Sequence, residues 1–287
     1  MSRKCVSVVA AIIATVAPGT LRAQPSCSTE SMVGLWAASA QGTVFSAMGA
    51  AKGVSVGLVS IERDGRISIR LFGNTGGTIG QVPPVGVLSG TVEVNADCTG
   101  SLSATAPSGN WTLTEDFVIE DNGNQVRTVA VGPLLNMPAV WQCWWKRLSH
   151  VPMPLTEAFA GCAAASVKGT YGGTVEGVVL AGAPAPHGML LRTEVGQDQS
   201  IRGVFTAVKQ GVVTRGTIEG QVTELRSDCT GWWTYGLTDS GGTLLGQMRE
   251  YFVVLENGKS IWSIPVQGPF GLPIALGRYD RISPVVF

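Results

Sequence analysis

The chain has 287 residues, with 20 basic and 20 acidic side chains and a formal charge of zero. That balance gives no electrostatic basis for binding nucleic acid or anionic lipid. Charged residues make up only 14%, and 38 glycines and 15 prolines disfavour long helices. Abundant Val, Ile and Thr with few charges favour β-structure with many buried faces.

The first 23 residues have the pattern of an export signal. Arg3 and Lys4 give a basic start, and the apolar run 5–16 is too short to span a bilayer. A cleavage point follows Ala23, although the preceding Leu21 and Arg22 suit it poorly; an uncleaved anchor is the alternative. No later segment is apolar and long enough to span. We predict a signal peptide over 1–23 and a secreted or periplasmic protein without a membrane span.

Beyond the signal, hydrophobic residues recur with a period of two. Ile67, Ile69 and Leu71 alternate with Ser68 and Arg70, as in a strand with one face on a core. Hairpin dipeptides lie between such runs, at 64–65, 122–123 and 257–258. Consecutive hairpins predict an antiparallel meander.

The motif Asp-Cys-Thr-Gly occurs twice, at 97–100 and 228–231. Cys27 and Cys162 lie 135 positions apart, and so do Glu115 and Glu250. Matches in the same order at nearly one offset indicate an internal duplication. We predict a first unit over 24–148, a linker over 149–161 and a second unit over 162–287.

Each unit is long enough for seven or eight strands. A lone meander leaves two open edges, which closure into a barrel removes. We therefore predict an all-β protein of two tandem, small, antiparallel up-and-down β-barrels. Two sandwiches are the alternative.

The two units share one cysteine near the start and one in the repeated motif. The simplest pairing, within each unit, is Cys27–Cys98 and Cys162–Cys229, because an exported chain can keep disulfides. Four separate thiols or pairing between the units are the alternatives. Cys143 has no counterpart and is interpreted as a buried thiol, a dimer link or a reactive site.

Two equivalent carboxylates share the parity of large apolar residues. Glu115 lies between Leu113 and Phe117, and Glu250 lies between Met248 and Phe252. If that face points inward, each barrel holds a carboxylate whose raised pKa suits a general acid or base. The alternative is a structural carboxylate, either paired with an arginine, for which Arg147 and Arg281 near the ends of the units are candidates, or capped by backbone amides near the barrel end. Candidate ligand contacts are aromatic: Trp111, Phe117, Tyr251 and Phe252.

The remaining motifs give weaker evidence of function. The run 53–57 fits Gly-x-Ser-x-Gly, but β-like sequence follows where a nucleophile elbow needs a helix. His150 and His187 have no partner at ligand spacing and are predicted to be solvated loop residues, so no metal site is predicted. No phosphate loop or dinucleotide motif indicates a cofactor.

The segments CSTESMVGLW, GTVEVNADCTG and CAAASVKGTYGGTVEG resemble a family of exported microbial proteins. Its units begin with Cys and Gly-Thr-Tyr-Gly and later carry Val-Asn-x-Asp-Cys-Thr-Gly. The second unit keeps Gly169–Gly172, whereas the first has Leu35 and Trp36 instead. The resemblance covers both units and implies calycin-like or allene-oxide-cyclase-like barrels, a group that holds apolar small molecules and includes cofactor-free cyclases.

Three functions are compatible with this sequence. The first is binding of an apolar small molecule in a barrel cavity. The second is a cofactor-independent cyclase or isomerase in which Glu115 or Glu250 moves a proton. The third is a structural or surface-interaction module without a ligand. The sequence does not define an oligomeric state.

Overall fold

The structure is a computed structural model that describes residues 26–46, 49–82, 87–132, 138–155, 162–180 and 185–282. The predicted signal peptide lies outside these residues. Strands dominate, and the predicted fold class is confirmed: two closed eight-stranded antiparallel barrels follow one another. The one α-helix in the described ranges is the single turn α1 (Ala164–Val167). None of the described helices is of a length and apolarity that would cross a bilayer.

The first barrel closes through pairing of its strands in the order β1-β2-β3-β5-β6-β7-β8-β9 and back to β1. Strand β4 is an additional hairpin strand on β3. The bounds are β1 (Gly34–Ser46), β2 (Gly49–Ile61), β3 (Arg66–Thr75), β4 (Thr78–Val82), β5 (Leu88–Val94), β6 (Thr99–Thr105), β7 (Thr112–Glu120), β8 (Gln125–Ala130) and β9 (Ala139–Ser149). Short 3-10 turns cover Thr29–Ser31 and Asp121–Gly123.

The second barrel is a continuous up-and-down meander in which β17 returns to β10. A 3-10 turn at Glu256–Gly258 matches the second turn of the first barrel. The bounds are β10 (Gly169–Leu180), β11 (Ala185–Val195), β12 (Ser200–Lys209), β13 (Val212–Leu225), β14 (Thr230–Asp239), β15 (Leu244–Leu255), β16 (Ser260–Gln267) and β17 (Leu272–Arg281).

The repeated Asp-Cys-Thr-Gly motif forms the same corner in both barrels. Asp97 Oδ1 accepts hydrogen bonds from the backbone N–H of Thr99 at 3.1 Å and from its hydroxyl at 2.7 Å. The residue in the left-handed region is Cys98, with φ 68°, and not the glycine. Gly100 serves close packing instead, because a Cβ there would lie 2.3 Å from the ring of Phe117.

The corner cysteines form the two disulfides that the duplication predicts. Cys27 is bonded to Cys98, and Cys162 is bonded to Cys229. Each bond ties the start of a barrel to the corner that precedes β6 or β14. Intact disulfides of this kind belong to an oxidising compartment.

The barrels pack against each other through their outer faces. Strand β2 is buried on both sides, with Val56 and Leu58 in a shared apolar cluster that also contains Tyr251 and Ile264 of the second barrel. Arg70 forms an ion pair across this interface with Asp228. The first half of the predicted linker also belongs to the interface, because Leu155 is buried there.

Candidate functional site

Glu115 and Glu250 occupy the same position in the two barrels. Glu115 pairs with Leu102 on β6, and Glu250 pairs with Trp233 on β14. Both carboxylates lie on the inner face, between residues of the barrel cores, and both are fully buried. A buried carboxylate is costly unless hydrogen bonds compensate for the lost hydration. The donors around each carboxylate therefore decide what it can do.

In the second barrel, four side chains donate hydrogen bonds to Glu250. Oε2 accepts from the Trp233 indole at 2.9 Å and from the Ser263 hydroxyl at 2.5 Å. Oε1 accepts from the Tyr235 hydroxyl at 2.6 Å, and the Tyr279 hydroxyl lies 3.0 to 3.1 Å from both oxygens. These five residues, the Glu250 cluster, come from four strands and fill the barrel with aromatic rings.

In the first barrel, two side chains donate to Glu115. The Thr128 hydroxyl donates to Oε2 at 2.5 Å, and the Cys143 thiol donates to Oε1 at 3.1 Å. Glu115, Thr128 and Cys143 form the Glu115 cluster. A thiol is a weak donor, so this carboxylate has less compensation than Glu250.

The strand registers show how the difference arises. Thr128 on β8 is equivalent to Ser263 on β16. Each pairs with a Phe on the preceding strand and with a residue of the last strand of its barrel. The three aromatic donors have no counterpart that donates to Glu115 among the described residues: Leu102 replaces Trp233, Ala104 replaces Tyr235, and Trp145 replaces Tyr279. Cys143 stands where the second barrel has Gly277.

The pKa values of the first cluster are shifted by burial. Desolvation raises the pKa of Glu115, and the hydrogen bonds from Thr128 and Cys143 oppose that rise only in part. Desolvation, together with the adjacent Glu115 charge, raises the pKa of the Cys143 thiol well above its usual value. Cys143 is therefore a neutral donor and a poor nucleophile.

Strand β2 lines the first barrel with small residues. Gly53 and Ser55 point inward at the positions where β11 has His187 and Met189. The Trp141 indole covers this strip, since a Cβ on Gly53 would lie 2.7 Å from its ring. The Ser55 hydroxyl is buried and has no hydrogen-bond partner among the described residues.

The proposed arginine partners of the carboxylates lie elsewhere. Arg147 donates to the backbone carbonyls of Ser31, Val33 and Gly123, and its guanidinium lies 4.0 Å from the centre of the Trp36 ring. Arg281 binds equivalent backbone in the second barrel. Both close the disulfide end of a barrel, which corrects their interpretation as carboxylate partners.

The predicted aromatic ligand contacts divide into three groups. Phe117 and Phe252 are buried inside the barrels, and Trp111 is half-buried against the first core. Tyr251 lies on the opposite face from Glu250 and Phe252, in the interface, with its ring centre 4.4 Å from that of Phe72. Strand alternation thus removes Tyr251 from the barrel interior.

Two further predictions from the sequence have different outcomes: one is confirmed and one is wrong. The Gly-x-Ser-x-Gly run lies within β2, as its β-like flank predicted. His187 is not a solvated loop residue, because it lies on β11, is buried, and has a pKa lowered by desolvation and by Lys209. Its position follows from the alternation of β11, which the prolines around it obscure in the sequence. Among the described residues, no three His, Cys, Asp or Glu side chains form a metal-binding group.

Comparisons with known proteins do not assign a family. No family model and no curated protein matches the chain. Among solved structures, the kievitone hydratase of Nectria haematococca is 8% identical over 92% of this chain and 95% of its own, with a TM-score of 0.29. An AttH-type protein from Nitrosomonas europaea is 8% identical over 86% and 92%, with a TM-score of 0.26. A DUF3598 protein of unknown function from Nostoc punctiforme is 12% identical over 88% and 98%, with a TM-score of 0.23. TM-scores this low carry no argument about function.

Proposed function

We propose that this protein binds an apolar small molecule inside its first barrel and that the second barrel is a packed scaffold. The observation that carries this proposal is the inequality of the two carboxylate clusters. Glu250 has four donors from large side chains, whereas Glu115 has a hydroxyl and a weak thiol. An eight-stranded barrel either fills itself or holds one small ligand, and this difference supports a different role for each barrel.

We call the proposed binding space beside Glu115 and Ser55, beneath Trp141, the ligand chamber; solvent does not reach it at Glu115, which is fully buried. Trp141 is the side chain whose movement would open it. It covers Gly42 and Gly53 on strands that carry no larger inward side chain at these points. The ligand would occupy the space of the indole, above Ala104, and present one polar atom to Glu115 or Ser55.

Fluorescence titration with N-phenyl-1-naphthylamine, a neutral apolar dye, tests the proposal. Ala104→Tyr places in the first barrel the residue that fills the second, and we expect it to weaken dye binding at least tenfold. Trp141→Ala should strengthen binding. Glu219→Gln, an exposed change on β13, is the control. A wild-type protein that binds neither the dye nor any component of a lipid extract would favour the structural module instead.

A second candidate function is a cofactor-independent cyclase or isomerase, favoured by the raised pKa of Glu115. A carboxyl group that keeps its proton at higher pH is a general acid toward a bound apolar substrate, and the carboxylate can take a proton back in a later step.

Deuterium transfer distinguishes the two candidates. A ligand recovered from the wild-type protein in deuterium oxide should gain carbon-bound deuterium if Glu115 moves a proton, and should gain none with Glu115→Gln. A ligand bound unchanged by both proteins would leave simple binding as the function.

A further inference from the structure

The two barrels meet along a polar cleft that is separate from either interior. One wall consists of the outer faces of β1 and β9, and the other consists of the outer faces of β10 and β17. Two adjoining hollows of about 350 and about 380 Å³ share Gln41 and Glu176. Leu276 and Ile274, both buried, are among the residues that line it. We call this feature the junction cleft.

The side chains of the junction cleft combine one aromatic ring with several hydrogen-bonding groups. Trp144 is half-buried on the first wall, and the exposed guanidinium of Arg278 lies 5.6 Å from its ring centre on the second. Gln41 and Gln142 stand directly opposite each other in the β1–β9 ladder, so their amides project from one point. Glu176 faces them from β10.

These polar groups make no hydrogen bond or ion pair to one another in the described part of the chain. Their donors and acceptors are therefore available to a ligand. An amide pair, the Glu176 carboxylate, the Lys52 ammonium and a guanidinium offer both donors and acceptors within one cleft. The carboxylate opposes a phosphate and the two cations oppose a cation, so this mixture suits a neutral molecule with many hydroxyl groups.

We propose that the junction cleft binds a neutral oligosaccharide. A sugar ring has an apolar C–H face, which Trp144 can contact, and an edge of paired hydroxyls, which amide, carboxylate and guanidinium groups can bind two at a time. Each hollow lies at the small end of the range for ligand pockets, and two adjoining hollows fit a short chain of sugars. The junction cleft lies on the outer face of β1, β2 and β9 and the ligand chamber lies on their inner face, with Gly42 and Gly53 in the wall between them.

Titration of the full chain with cellohexaose, chitohexaose and maltohexaose, followed by calorimetry and tryptophan fluorescence, tests this inference. We expect at least one to bind with a Kd in the range of about 10 µM to 1 mM. Trp144→Ala should weaken it at least tenfold, and Glu176→Gln several-fold. Glu219→Gln, the same change at an exposed site on the far side of the second barrel, should leave it unaltered.

Several results would overturn the inference: no binding of any of the three sugars, or binding that Trp144→Ala and Glu176→Gln leave unchanged. If Trp144→Ala fails to fold, Gln142→Ala and Glu176→Gln decide the outcome, because both side chains are exposed. Ala104→Tyr separates this site from the ligand chamber, since it should abolish dye binding and leave sugar binding intact.

Discussion

The two barrels share a strand order, a disulfide, a corner and a buried glutamate, yet they differ in what surrounds that glutamate. In the second barrel, Trp233, Tyr235 and Tyr279 donate hydrogen bonds to the carboxylate. The first has Leu102, Ala104 and Trp145 at those positions. A duplicated fold can thus keep one copy as a rigid support while the interior of the other becomes available for binding. Fold alone does not identify a working copy, and our proposal of the first barrel rests on the hydrogen bonds around the two glutamates.

The largest expected effect is the loss of stability when a disulfide is removed, and it should be equal in the two barrels. Replacing Cys27 and Cys98 by serine, or Cys162 and Cys229 by serine, removes a bond between residues 71 or 67 positions apart. Each loss should lower the free energy of unfolding by about 4 kcal/mol in the chain-entropy model. Urea denaturation of the two double variants measures it. A cost confined to one pair would mean that the scaffolds are not equivalent.

Replacing the buried glutamate by glutamine should lower stability more in the second barrel than in the first. Glu250→Gln replaces an acceptor of four donors by an amide that accepts at one atom only, so we expect a loss of about 3 kcal/mol. Glu115→Gln removes a poorly compensated charge and should change stability by less than about 1 kcal/mol. Urea midpoints of both variants check this difference, and equal costs would contradict the assigned roles.

The two Asp-Cys-Thr-Gly corners provide a second, smaller contrast. Asp228 is buried and pairs with Arg70 of the first barrel, whereas Asp97 is exposed. Asp228→Asn should cost about 2 kcal/mol, because it leaves a partly buried arginine unpaired. Asp97→Asn should cost much less, because the Asp97 carboxylate is exposed to solvent and has no partner in the other barrel. Thermal unfolding of the two variants measures both losses of stability. A larger loss for Asp97→Asn would contradict a stabilising role for the Arg70–Asp228 ion pair between the barrels.

The smallest effect is a pH dependence. Because the folded-state pKa of Glu115 is raised above its ordinary value of 4.5, the folded protein binds that proton more tightly than the unfolded chain does. Its contribution to stability is therefore present below the unfolded value and is lost as the pH rises through the folded one. The difference in unfolding free energy between wild type and Glu115→Gln, measured at about pH 5 and about pH 8, should shift against wild type at the higher pH. A difference independent of pH would contradict the raised pKa.

The sequence predicts the two barrels and their disulfides better than it predicts the surroundings of the buried carboxylates. Alternation around Glu115 and Glu250 and the offset of the cysteines were enough to predict two barrels and their disulfides. The partners of the carboxylates were not predictable, because Thr128 and Cys143 lie on other strands and only the closed register brings them together. Tyr251 stands beside Glu250 in the chain but faces away, which the period of two could have shown. The position of Arg147 near the end of its unit makes it a possible partner of Glu115, yet it donates to backbone carbonyls at the barrel end instead.

The central claim is that a ligand enters the first barrel and not the second. Alanine-methyl NMR tests it most directly, because Ala40 and Ala104 lie inside the first barrel and Ala207 and Ala275 lie inside the second. On titration with N-phenyl-1-naphthylamine, we predict shifts of the Ala40 and Ala104 methyl signals with those of Ala207 and Ala275 unchanged. Shifts at Ala207 and Ala275, or at none of the four, would contradict the claim.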